Sequence, residues 1–116
     1  MANGSPHYRL DEVKKLVAAD NFIVQKGRAL NLLVPPLTYA EALGFIAAAI
    51  QMLSTDNFHR TVQLTYDVAD EYGLNIDGTG WYIKICIDRA VPEVAVISFH
   101  PPQFPMRTKA GTIKPP

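Results

Sequence analysis

Three histidines, a single cysteine and two segregated charge runs are the residues of this chain whose types and spacing invite a chemical reading. His7, His59 and His100 stand far apart and do not form the spaced His/Cys set of a structural zinc site, so neither a metal nor another cofactor is expected. Cys86 has no second cysteine with which to close a disulfide. It lies in the apolar run 81–87, where a small buried hydrophobe is the expected role. Gly78 and Gly80 precede a strand pattern and do not open a helix, which argues against a phosphate-cradling loop. Four acids and no base fall between Asp67 and Asp77, and three bases with no acid between Arg107 and Lys114. The eleven bases and eleven acids balance overall, so any contact with nucleic acid must come from a local patch.

The elements that must position these groups can be read from the apolar period. At 116 residues with 48% apolar and 19% charged positions, the chain suits one folded domain with one core. No run approaches the length of a membrane span, and residues 1–9 are polar, so no membrane association and a cytoplasmic setting are the expectations. Leu10, Val13, Leu16 and Val17 repeat at helical spacing and predict a helix over about 10–19. A short strand is expected near 21–25 and a short helix over 28–33, stopped by Pro35 and Pro36. Thr38 followed by Glu41 forms a capping-box pattern ahead of an alanine- and leucine-rich helix running to Leu53. That helix is apolar on nearly every side, which predicts a central, well-covered position.

Beyond Phe58 the period becomes two. Val62, Leu64 and Tyr66 alternate, as do Trp81, Ile83, Ile85 and Ile87, with a turn at 77–80 and a further strand over 94–99. Short connections favour antiparallel pairing. The fold class expected is therefore α+β, with N-terminal helices packed on a C-terminal antiparallel sheet of three to four strands. The five prolines from Pro101 onward predict an extended arm over 101–116.

Pro6-His7-Tyr8-Arg9-Leu10 followed by Val13-Lys14-Lys15-Leu16-Val17 resembles the N-terminal signature of the MqsR family, the motility quorum-sensing regulator toxins of bacterial toxin–antitoxin modules. Leu53-Ser54 with Phe58, Tyr82-Ile83-Lys84-Ile85 and Val96-Ile97-Ser98-Phe99 resemble later blocks of that family in the same order, so the resemblance spans about 6–100. It implies a RelE-like fold and a metal-independent endoribonuclease, an mRNA interferase that cleaves single-stranded mRNA by attack of a 2′-hydroxyl on the adjacent phosphate. It also implies a cognate antitoxin protein as partner. By the same resemblance Arg60 and His100 stand where the family has lysines and Tyr82 where it has a tyrosine. Arg60 then serves as phosphate clamp, His100 as acid or base, and Tyr82 as orienter of the phosphate or a stacked base. Lys84, on the side of its strand shared with Tyr82, and His59 are the expected RNA contacts.

The family's glutamine-bearing strand segment has no clear copy here; residues 66–76 are shorter and acidic, with Asp70 and Glu71 in the vicinity. Each named residue also has a structural reading. Tyr82 beside Trp81 suits sheet packing, Arg60 with His59 suits an exposed strand end, and His100 ahead of Pro101 and Pro102 suits a strand terminus. Lys14 and Lys15 suit a solvated helix face. A non-catalytic protein-interaction module of the same fold therefore stands beside the nuclease as the alternative function.

Overall fold

The computed structural model describes residues 4–116, an α+β arrangement in which helices cover one face of a five-stranded mixed sheet. Helix α1 (Leu10–Ala18) carries Asp11 and Glu12 in its first turn and Lys15 in its last, the order that the helix dipole favours. It buries Leu10, Val13 and Val17. Strand β1 (Phe22–Val24) leads into a π-helical turn (Lys26–Leu30) continuous with the short helix α2 (Asn31–Leu33). Helix α3 (Tyr39–Met52) begins at the expected capping box: Thr38 Oγ1 accepts from the Glu41 amide at 3.1 Å, and Glu41 accepts from the Thr38 amide at 2.9 Å. Such a cap contributes about 1 kcal/mol.

Helix α3 differs from the expectation in lying on the surface of the sheet. It buries Ala42, Ile46, Ala49 and Ile50, while Tyr39 and Met52 are exposed. Its apolar flank is used by Phe45, whose ring meets Trp81 at 5.5 Å and Phe99 at 5.8 Å and so ties the helix to the two central strands.

The sheet strands are β2 (Phe58–Gln63), β3 (Val68–Ile76), β4 (Thr79–Asp88) and β5 (Glu93–His100), in the order β1-β5-β4-β3-β2. The four strands β2 to β5 pair antiparallel, whereas β1 joins β5 in parallel. The connection this needs is supplied by the helices and strands between them. Asp77 and Gly78, both at positive φ (50° and 83°), form the two-residue turn between β3 and β4, a geometry that matches the twist of a hairpin. The alternation over Val62, Leu64 and Tyr66 does not continue as strand: β2 ends at Gln63, the Leu64 amide bonds back to the Asp67 carbonyl at 2.7 Å, and Tyr66 is 98% exposed at the turn.

Ile83, Ile85 and Ile87 of β4 face the helices with Val94, Val96 and Phe99 of β5 and Phe58, Tyr72 and Leu74 of the outer strands. The segment after Pro101, expected to be extended, instead folds back as a hairpin of β6 (Met106–Thr108) and β7 (Gly111–Ile113). Met106 and Ile113 are its two buried anchors. The hairpin lies against the other side of the sheet, where Gly73 and Gly80 make room for it. A Cβ on Gly73 would come within 2.7 Å of Ile113 Cγ1, and one on Gly80 within 2.8 Å of the Lys114 carbonyl oxygen. Among the described residues no helix is long and apolar enough to cross a membrane.

Candidate active site

Two bulges set the site. In β2, Phe58 pairs with Tyr72 and Arg60 with Glu71, which leaves His59 as the extra residue. In β5, Val96 pairs with Ile85 and Ser98 with Lys84, which leaves Ile97 as the extra residue. A regular strand would place Phe58 and Arg60 on one face, and likewise Val96 and His100, because the side-chain period is two. The bulges reverse that phase. Phe58, Val96 and Phe99 stay in the core, while Arg60 and His100 turn to the opposite face, where β3 presents Glu71 and β4 presents Tyr82.

These four side chains, with Arg28 from the π-helical turn and His59, line one cleft of about 190 Å³ whose remaining wall is Gln103, Phe104, Pro105 and Met106. The three catalytic residues expected from the sequence, Arg60, Tyr82 and His100, are thus brought together. His59 also reaches the cleft, and its Nδ1 lies 2.8 Å from the Arg107 carbonyl of β6. Lys84 shares the face by register with Glu71 and Ser98 but is outside the cleft lining. Glu71, Arg28, Gln103 and Phe104 enter the site without having been singled out as site residues from sequence. Only Glu71 had a signal, its place in the acidic segment where the resemblance lacks a glutamine.

Glu71 is the centre of the hydrogen bonding. Its side chain is 4% exposed, and it accepts from Arg60 Nε at 2.7 Å and from the Tyr82 hydroxyl through its other oxygen. Both carboxylate oxygens therefore have a donor, one of them charged. The hydrogen bond to Glu71 also raises the Arg60 guanidinium above its usual value, so its charge is permanent. Burial first, and then the bond to Glu71, push the Tyr82 phenol well above its ordinary range. It therefore stays a neutral donor and is excluded as a base near neutrality.

His100 is buried and stacks on Tyr82 with ring centroids 4.9 Å apart and planes 8° from parallel. Its Nδ1 lies 2.8 Å from the Pro101 carbonyl oxygen, an acceptor only, which assigns the proton to Nδ1 in the neutral ring. Nε2 then faces the cleft and accepts from Arg28 Nη2 at 3.4 Å. A ring fixed at Nδ1, with Nε2 turned to the cleft and held only by the long contact to Arg28, is oriented to exchange a proton at Nε2.

One carboxylate, two imidazoles and two guanidinium groups line this cleft, a set able to accept a proton, donate a proton and neutralise an anion. Among the described residues no group of three or more histidine, cysteine or acidic side chains is arranged to hold a metal ion. Cys86 is half-buried in β4, away from the cleft, and burial raises its thiol, so it lacks the properties of a reactive nucleophile. Compared with known families and curated proteins, this chain matches no family model and no curated sequence.

Proposed function

We propose that this cleft is the active site of a metal-independent endoribonuclease that cleaves single-stranded mRNA, and that the protein is an MqsR-like toxin restrained by a cognate antitoxin. The observation that carries the nuclease reading is the convergence of Arg28, Arg60, Glu71, Tyr82 and His100 in one cleft, from five separate segments of the chain. The toxin role and its protein partner rest on the sequence blocks that resemble the MqsR family.

In this reading Arg60 and Arg28 hold the scissile phosphate. Arg60 is the mobile clamp: its side chain is 63% exposed while its partner Glu71 is 4% exposed, so an incoming phosphate can draw the guanidinium outward. Glu71, relieved of that bond, takes the proton of the 2′-hydroxyl as the 2′-oxygen attacks phosphorus. Tyr82 keeps its hydrogen bond to Glu71 and holds the carboxylate in place. Negative charge grows on the phosphorane oxygens, where the two guanidiniums stabilise it. The phosphorus–O5′ bond then breaks as His100, protonated on both nitrogens, passes its Nε2 proton to the departing oxygen. The products are a 2′,3′-cyclic phosphate and a 5′-hydroxyl. Glu71 supplies a carboxylate as proton acceptor in a chain that has no clear copy of the family's glutamine.

The alternative, a non-catalytic interaction module, draws on a different region. Edge strand β1 and the outer side of α3 border an apolar hollow with Phe22, Ile23, Tyr39 and Leu43 in its walls, and Ile23 and Tyr39 are more than half exposed. An edge strand beside apolar side chains is a surface on which a protein partner can pair.

The test is cleavage of a mixed-sequence RNA in EDTA by the purified wild type, His100→Ala and Arg60→Ala, with the product ends mapped. Cyclic-phosphate ends from the wild type, lost in both variants, are expected. A folded wild type that leaves the RNA intact would overturn the nuclease reading in favour of the interaction module.

A further inference from the structure

We infer that Phe104 is a base-stacking residue of the cleft and that the loop 101–105 selects single-stranded RNA by holding a nucleobase next to the scissile phosphate. The inference rests on the nuclease reading of the same cleft. Phe104 is 74% exposed, yet it lines the same cleft as Arg28, Arg60 and His100. A flat apolar ring left in water beside two guanidinium groups matches a ligand that carries both a phosphate and a π-face. A nucleotide in an unpaired strand has both.

The loop is built to hold that ring in place. Pro101, Pro102 and Pro105 restrict three of its five backbone positions. Pro102 is buried, the Pro101 carbonyl is bound by His100 Nδ1, and Met106 anchors the far end beneath the β6–β7 hairpin. Little ordering is then required when the base arrives. Gln103, also on the cleft wall, brings an amide with both donors and an acceptor to the side from which a base edge would be read. A duplex cannot use this arrangement, since its bases are already stacked on one another.

The experiment measures kcat and KM on a short single-stranded RNA, and the Kd for the same oligonucleotide carrying 2′-O-methyl groups, which bars 2′-hydroxyl attack. Wild type is compared with Phe104→Ala, Phe104→Leu and Phe104→Trp. Alanine and leucine should each raise KM and Kd by about tenfold at nearly unchanged kcat, whereas tryptophan should restore wild-type values. An abasic nucleotide placed next to the cleavage position should erase the difference between wild type and Phe104→Ala. Wild-type binding by Phe104→Ala, or full rescue by leucine, would overturn the stacking role while leaving cleavage as a separate result. If wild type binds the methylated strand without cutting the natural one, the nuclease reading fails and the Kd series alone decides for or against Phe104. Failure of the wild type to bind RNA would remove both.

Discussion

Asp70 and Glu71 are neighbours on β3, both carboxylates, both buried, and they do opposite things because a strand turns successive side chains to opposite faces. Asp70 faces the helices. Its oxygens accept from the His7 amide at 3.0 Å, the Tyr8 amide at 2.8 Å and Thr61 Oγ1 at 2.6 Å, so it clamps the N-terminal segment to the sheet. All of its donors are neutral and fixed, and it does not line the cleft. Glu71 faces the cleft, and its strongest partner, Arg60, is a flexible and largely exposed cation. If Glu71 acts as proposed, what separates it from the structural Asp70 is the mobility and charge of the donors around it, more than its own burial.

The largest separation between the two should appear on amide substitution. Glu71→Gln keeps the shape and much of the hydrogen bonding but removes the proton acceptor, so cleavage should fall by about a thousandfold. Its unfolding free energy should change by less than about 1 kcal/mol, since the bond to an exposed guanidinium is screened by solvent. Steady-state kinetics and urea unfolding on the same preparation check both halves. Loss of folding together with loss of activity would erase the contrast.

Asp70→Ala should show the reverse. It removes the partner of the buried Tyr8 amide and of two part-buried donors, the His7 amide and Thr61 Oγ1, which should destabilise the protein by about 2 kcal/mol, roughly thirtyfold in the folding equilibrium. Cleavage per folded molecule should stay within about twofold, a small change for a residue outside the chemistry. Denaturation curves combined with rates below the midpoint measure this.

A smaller effect sharpens the structural side. Tyr8, anchored by the same segment, donates its hydroxyl to the Val68 carbonyl at 2.8 Å, and its phenol is pushed up to about 12 by burial first and then by Asp67. A raised folded-state value means that the stabilisation is complete below the unfolded value of about 10 and is lost as pH rises toward 12. Tyr8→Phe should flatten that alkaline decline in thermal stability and cost only about 1 kcal/mol at neutral pH. An unaltered alkaline profile would show that Tyr8 titrates as it would in water.

The sequence carried the helices well, because α1 and the capping box of α3 are local patterns with local causes. It placed α3 too deep, since a helix rich in alanine looks apolar all round even when one side meets solvent. The tail reads as an arm from its prolines, yet Met106 and Ile113 find a surface only because Gly73 and Gly80, more than twenty residues earlier, leave space for them. The resemblance singled out Arg60, Tyr82 and His100 on three strands that could share a face, but how the strands turn them into one cleft was not legible. That depends on bulges at His59 and Ile97, and nothing in a run of β-branched residues announces where a strand will take in one extra residue. Glu71 was hidden for a related reason: an acidic stretch reads as repulsive to RNA until pairing shows that its neighbouring acids point elsewhere.

The division of labour proposed for Glu71 and His100 is most directly tested with an RNA whose scissile 5′-oxygen is replaced by sulfur, a leaving atom that departs without needing a proton. The expected result is that sulfur restores most of the lost rate to His100→Ala and none to Glu71→Gln, marking His100 as the acid and Glu71 as the base. Rescue of Glu71→Gln with His100→Ala still slow, or no response from either, would contradict that assignment.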